Sequence, residues 1–316
     1  MHLVQVPQTP ETLSSVRVWI RAAPEIRPGI EDAVRDSGGE VVGHSEANAI
    51  VWMTDDIASI RPFLSSAVTW VQISSAGVDE WFERGLIDDC RTWTAAQGVY
   101  AEPIAEYVVG MMLAVVRRLG EVITTNTWKP LEIGLLRDKT IGLIGAGEIG
   151  EAVLRLLAPF GVHTLALTRS GRQVPGADES FDSGGLDLVL GASDFVVLAT
   201  PATPETVGLL SRASFDVMRP GAWIVNVGRG VCLDTNTLVE FLTDQRLGGA
   251  ILDVTDPEPL PDDHPLWRLP NVVITSHTAS TPRLGARRFE QRVRENVRRR
   301  RFGQTLVGTV DLVRKY

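Results

Sequence analysis

The chain has 316 residues, with 31 Lys and Arg against 39 Asp and Glu, a formal net charge of −8 and 44% hydrophobic residues. That length suggests about two domains, and the acidic balance argues against nucleic acid as the main partner. No apolar run reaches the ~18 residues of a membrane span, no signal-peptide pattern opens the chain, and Cys90 and Cys232 show neither a disulfide framework nor metal-ligand spacing, so a cytoplasmic protein without membrane contact or metal is expected.

In chain order, residues 1 to about 100 alternate short strands and helices. Strands are predicted at 16–20, 49–52 and 69–73, and a helix at 30–37. Residues 102–119 read as a long apolar helix between Gly98 and Gly120, with Glu106 marking it as buried in protein rather than in lipid. A strand–helix alternation begins at Lys139 and runs to about residue 280. Its later strands are predicted at 195–199, 223–227, 250–254 and 272–275, with helices at 204–208 and its neighbours and at 234–244. Residues 281–316 read as a helix plus a tail. There Arg287, Arg288, Arg292, Arg294 and the run 298–301 form a solvated face behind Phe289, Val293 and Val297. Such alternation implies parallel sheets with helices on both faces.

Residues 139–168 carry the sharpest local signal. Residues 139–144 read as an apolar strand, 151–160 as a helix stopping at Gly161, and 162–168 as a second strand. Between the first two lies Gly145-Ala146-Gly147-Glu148-Ile149-Gly150, which has the spacing of the dinucleotide fingerprint. Its glycines serve a tight turn, a close backbone approach to pyrophosphate and close helix–strand packing. The helix N-terminus adds free N–H groups and a favourable dipole. The acidic residue that usually binds the adenosine ribose about 20 positions on is missing. The second strand runs instead into Thr168-Arg169-Ser170-Gly171-Arg172. Arg169 and Arg172, with the hydroxyls of Thr168 and Ser170, suit a 2′-phosphate. NADPH is therefore preferred; if the arginines are only solvated loop charges, NADH is possible.

The fingerprint usually opens its domain, yet it stands here at residue 140. The predicted architecture is α/β, with two Rossmann-like, doubly wound parallel-sheet domains and the cofactor domain inserted into the substrate domain. The NAD(P)-binding domain is expected over 101–283, and the substrate domain over 1–100 plus 284–316.

In open α/β sheets, function gathers at the carboxyl ends of strands. Three such ends carry charge here: Gly228-Arg229-Gly230, the segment from Asp253 to Glu258, and Ser276-His277. Arg, carboxylate and His beside a nicotinamide suit reversible carbonyl reduction. His277 would protonate the developing alkoxide, and Glu258 would hold its ring and favour the charged form. Arg229 would bind a substrate carboxylate and polarise the carbonyl. Taken singly, each is an ordinary turn or loop residue; their occurrence at successive strand ends carries the reading. His2, His44, His163 and His264 lack such placement and read as structural.

With the fingerprint, Arg229, Glu258 and His277 in this order and the cofactor domain inserted, the chain resembles the D-isomer-specific 2-hydroxyacid dehydrogenases. It is most similar to their NADPH-dependent glyoxylate/hydroxypyruvate reductase branch, through Trp128-Lys129-Pro130-Leu131, Thr168-Arg169-Ser170 and the stretch from His277 to Arg283. The resemblance implies substrate-carboxylate binding by the backbone at Ala76 and Gly77, and pocket-lining roles for Trp52 and Arg283. It implies cofactor-side roles for Thr200, Pro201, Thr206, Val227 and Asp253, and a homodimer with residues 102–119 and Trp128 at the interface. Ser276 replaces the usual Pro. The expected activity is NADPH-dependent reduction of a small 2-oxoacid such as glyoxylate, hydroxypyruvate or pyruvate to the D-2-hydroxyacid. A non-catalytic dinucleotide sensor and a dehydrogenase for bulkier, aromatic 2-oxoacids are the alternatives.

Overall fold

A computed structural model describes residues 15–128 and 130–316. The readings placed on His2 and Lys129 lie outside the described residues. The chain divides into two compact units, Met1–Val99 with Pro282–Tyr316, and Tyr100–Thr281. Among the described residues, no helix is long and apolar enough to cross a membrane.

The first unit contains β1 (Arg17–Ala22), α1 (Arg27–Asp36), β2 (Glu40–Val41), β3 (Ala49–Met53), β4 (Trp70–Ile73), α2 (Asp79–Glu83), β5 (Thr92–Thr94) and the C-terminal helix Pro282–Arg301. Its strands form one parallel sheet in the order β2-β1-β3-β4-β5. β3 and β4 are buried at every position, the pattern of central strands covered on both faces. On α1, Ile30, Ala33 and Val34 face the core, and α1 packs against the C-terminal helix. That helix buries Gly285, Phe289, Val293, Asn296 and Val297, a single stripe at three- and four-residue spacing.

A buried polar network fastens the two chain segments of this unit. Asn296 Nδ2 donates to Gln72 Oε1 at 2.8 Å and to the Val307 carbonyl at 2.9 Å, while Asn296 Oδ1 accepts from Val307 N at 2.7 Å. Thr94 Oγ1 donates to Gln72 Oε1 at 2.9 Å and accepts from Trp70 Nε1 at 2.9 Å. Gln72, Thr94 and Asn296 are fully buried, so each unmade bond would cost ~1–3 kcal/mol. The helix arginines are largely satisfied locally: Arg294 pairs with Asp36, Arg298 and Arg299 with Glu295, and Arg301 donates to the Ser37 carbonyl.

The second unit begins with α3 (Ala101–Val116) and α4 (Leu119–Thr124). It continues through β6 (Thr140–Ile144), α5 (Glu148–Leu157), β7 (His163–Leu167), β8 (Glu179–Phe181), α6 (Leu186–Ala192) and β9 (Phe195–Leu198). Then come α7 (Arg212–Val217), β10 (Trp223–Asn226), α8 (Thr235–Thr243), β11 (Gly249–Leu252) and β12 (Val272–Ile274). All seven strands are parallel, in the order β12-β11-β10-β9-β6-β7-β8. The order reverses between β6 and β9, the position where open α/β sheets bind ligands.

The structure revises three expected elements. The long helix ends at Val116; Arg118 takes a left-handed conformation (φ 51°), and a second short helix follows. Helix α5 starts at Glu148, so the last three fingerprint residues lie in its first turn. Residues 204–208 form a turn rather than a helix. The Thr206 hydroxyl accepts from Thr203 N at 2.8 Å and donates to the Pro201 carbonyl at 2.5 Å, bonds that compete with helical pairing.

Candidate active site

Sheet register gathers the chemistry of the second unit on one edge. Ile144 lies opposite Leu198, Leu198 opposite Asn226, Asn226 opposite Leu252, and Leu252 opposite Ile274. The residues that follow these five strand ends (Gly145, Ala199, Val227, Asp253 and Thr275) therefore leave the sheet along a single carboxyl edge. Arg229, Glu258 and His277 hang from three neighbouring strands on it.

Asn226 fixes the Arg229 turn. Its Nδ2 donates to the Arg229 carbonyl at 3.0 Å and its Oδ1 accepts from Gly228 N at 3.1 Å. The turn is pressed against the next strand's loop: a Cβ on Gly230 would sit 2.0 Å from the Thr255 carbonyl oxygen, so only glycine fits. Arg229 Nη1 donates to the Gly228 carbonyl at 2.8 Å, and its charge is felt by both Glu258 and His277.

His277 Nδ1 lies 2.6 Å from Glu258 Oε1, with both side chains about half exposed. The Glu258 hydrogen bond, aided by its charge, raises the imidazole pKa above its ordinary value against the opposing effects of burial and Arg229. In return, the His277 hydrogen bond holds the Glu258 carboxyl below the usual range. With Nδ1 engaged, Nε2 is the nitrogen left to carry a proton to a substrate.

His277 has φ 55°, a left-handed conformation that costs a non-glycine residue ~1–3 kcal/mol unless its surroundings impose it. The surroundings do impose it. His277 N donates to the carbonyls of Asp253 at 2.9 Å and Thr275 at 3.0 Å. The Asp253 carboxylate, 4% exposed, accepts from Thr275 Oγ1 at 2.6 Å, Thr278 N at 2.8 Å and Ala279 N at 2.9 Å. The Asp253 carboxylate thus braces the His277 loop, chiefly through Oδ1.

Other expected residues fall as follows. The Thr206 hydroxyl is bonded within its own loop. Thr200 is buried with its hydroxyl on Cys232 Sγ at 3.5 Å, Pro201 is exposed, and Val227 is buried. Arg172 Nη2 donates to Glu151 at 2.6 Å and to the Ala146 carbonyl at 2.9 Å, so it braces the loop onto α5. In the first unit, Trp52 packs with Trp19 and Phe63 at 1% exposure, and its Nε1 is buried without a hydrogen-bond partner among the described residues. Arg283 is exposed in the first turn of the C-terminal helix. The backbone N–H groups of Ala76 and Gly77 donate to nothing among the described residues. Asn226, Thr275 and Tyr107 were not foreseen. The signal for each was a polar group at the end of, or within, an otherwise apolar element.

The sequence pattern described as the D-isomer specific 2-hydroxyacid dehydrogenase, NAD binding domain, matches residues 109–279, more than half of the chain. The chain belongs to this family. It is an NAD(P)-dependent 2-hydroxyacid dehydrogenase. A glyoxylate/hydroxypyruvate reductase A of Serratia proteamaculans is 33% identical over 68% of this chain and 69% of that protein. A crystal structure of a D-isomer specific 2-hydroxyacid dehydrogenase family protein from Aeromonas salmonicida superposes with TM-score 0.82 at 28% identity, covering 94% of this chain and 99% of that one. An NADPH-dependent glyoxylate/hydroxypyruvate reductase from Sinorhizobium meliloti, solved with NADP and sulfate, gives TM-score 0.80 at 26% identity over 96% and 100% of the two chains.

The residues present in this dehydrogenase fit a dinucleotide. Gly145 (φ 85°) makes the turn out of β6, where a side chain would strike Thr200 and the Ala199 carbonyl. A Cβ on Gly147 would meet nothing within 4 Å, so no neighbouring atom demands glycine there and the open space suits a close ligand. Helix α5 presents the unpaired N–H groups of its first turn. At the end of β7, the Thr168 hydroxyl is buried without a partner, and Arg169 has no hydrogen bond or ion pair among the described residues.

Proposed function

We propose that this dehydrogenase reduces a small 2-oxoacid (glyoxylate, hydroxypyruvate or pyruvate) with NADPH, giving the D-2-hydroxyacid where the product is chiral. The observation that carries the reading is the His277–Glu258 pair at 2.6 Å, on the same sheet edge as Arg229. When bound, the dinucleotide supplies the hydride. Arg229 binds the substrate carboxylate and polarises the carbonyl. His277 donates the Nε2 proton to the alkoxide oxygen, and Glu258 holds the ring with Nδ1–H directed at its carboxylate. We also assign carboxylate binding to the backbone of Ala76 and Gly77. Gly145, Ala146, Gly147, Glu148, Ile149 and Gly150 are assigned to the pyrophosphate. Thr168, Arg169 and Ser170 are assigned to the 2′-phosphate, for which an uncommitted guanidinium is suited. The likeness to the Sinorhizobium NADPH-dependent enzyme supports this cofactor choice.

The test is a kinetic panel of 2-oxoacids with NADPH and NADH in parallel. Turnover of a small 2-oxoacid, faster with NADPH, is expected. Tight dinucleotide binding with no turnover anywhere on the panel would replace the reading with a dinucleotide sensor, and preference for aromatic 2-oxoacids would replace the substrate class.

A homodimer is part of the proposal. Leu119, Val122, Ile123, Ile133 and Leu135 are exposed within one stretch and Trp128 is 100% exposed, an apolar surface of the kind that marks an interface. Light scattering should give a dimer, and Ile123→Asp a monomer. The two unpaired cysteines suit a reducing compartment, and the cytoplasm is the proposed location.

A further inference from the structure

A chain of hydrogen bonds links the His277 loop to a helix with no place in the mechanism above. Tyr107 Oη on α3 lies 2.8 Å from Thr275 Oγ1, and Thr275 Oγ1 donates to Asp253 Oδ1 at 2.6 Å. The direction of this chain is fixed. An ionised carboxylate only accepts, so the Thr275 proton goes to Asp253 and Thr275 Oγ1 must accept from the Tyr107 hydroxyl. Burial pushes the Tyr107 pKa up to about 12, which keeps that proton in place at any working pH. Asp253 Oδ1 also accepts from the N–H groups of Thr278 and Ala279, the latter shared with Oδ2; these are the two residues after the left-handed His277.

We propose that Thr275 and Tyr107 are positioning residues for the proton donor, a role that rests on the reading of His277 as the general acid. Without the Thr275 hydroxyl, the Asp253 carboxylate is free to swing toward solvent or cofactor, and the two N–H bonds that enforce the His277 backbone weaken. The ring then drifts from Glu258. The groups facing His277 are Glu258, Arg229 and Asp253. Of these, Glu258 is the one hydrogen-bonded to the ring.

The test uses the intact protein and reads kcat across pH with NADPH and glyoxylate, the NADPH Kd by fluorescence, and the His277 ring titration by NMR. Thr275→Val keeps the branched shape and removes the hydroxyl. It is expected to lower kcat about 10- to 100-fold while the NADPH Kd stays within about twofold. The alkaline limb of kcat should move to lower pH, because the imidazolium loses its carboxylate partner. Thr275→Ser should restore both quantities, and Tyr107→Phe should move them the same way by a smaller factor. An unmoved limb in Thr275→Val, or a kcat loss that Thr275→Ser does not rescue, overturns the proposal. If Thr275→Val does not fold, Tyr107→Phe with wild-type kcat and wild-type limb overturns it. If the wild-type protein turns over no 2-oxoacid, the functional reading fails separately. The positioning role is then decided by NMR: a His277 titration identical in wild type and Thr275→Val refutes it, and one displaced to lower pH sustains it.

Discussion

The loop after β12 and the loop after β7 sit on the same sheet and are built in opposite ways. Around His277, the Asp253 carboxylate and carbonyl take up the backbone N–H groups of three residues and a threonine hydroxyl, enforcing a backbone that the histidine would not choose. Around Arg169, among the described residues, the guanidinium has no partner and the buried Thr168 hydroxyl is unsatisfied. On the proposed function, the first loop would hold a group that must be in one place before a substrate arrives, and the second would keep polar groups in reserve for a phosphate-bearing cofactor. Within that second loop, Arg172 belongs with the clamped kind, pinned to Glu151 and Ala146.

The strongest way to break this contrast is to remove its chemical endpoints. His277→Ala or Arg229→Ala should lower kcat/KM about 10²–10⁴-fold, with full activity in either variant incompatible with the assignment. Glu258→Gln should reduce kcat about tenfold near neutrality. It should also move the alkaline limb to lower pH. The sign follows from the raised folded-state pKa of His277: the imidazolium persists above its ordinary range only while the carboxylate faces it, and reduction is lost as pH rises through that value. Arg169→Ala should raise the KM for NADPH about tenfold and leave that for NADH nearly unchanged; equal losses would remove Arg169 from the 2′-phosphate. Arg172→Ala should change the ratio of the two cofactors' KM values by less than about threefold, and a shift as large as that of Arg169→Ala would erase the distinction between the two arginines.

Much of this was legible because parallel α/β sheets advertise themselves. The strands that became β1, β3, β4, β6, β7, β9, β10, β11 and β12 are apolar runs set off by turn residues, and they could be read to within a residue or two. β2, β5, β8, α2 and α6 escaped. The first four are short, two to five residues each, and α6 follows Gly184-Gly185, which masks its start. The turn at 204–208 was misread because its bonds come from the side chain of Thr206. The pairing of His277 with Glu258 could be anticipated, since both follow adjacent strands. The clamp could not: Asp253 reaches partners 22, 25 and 26 residues away in the chain, and no spacing rule reports how far a β11 loop and a β12 loop diverge before meeting. Asn226 and Tyr107 failed to register for a similar reason. A lone polar group in an apolar element signals a partner without naming it.

The bond between Asn296 and Gln72 spans 224 residues of chain, and it sets an order of events during synthesis. The stripe of Phe289, Val293 and Val297 that covers the first sheet does not exist until the ribosome has passed residue 297. Every residue of the second unit has been made by then. The sheet begun first is thus the one completed last, and its half-built apolar face is what a chaperone would meet on the nascent chain.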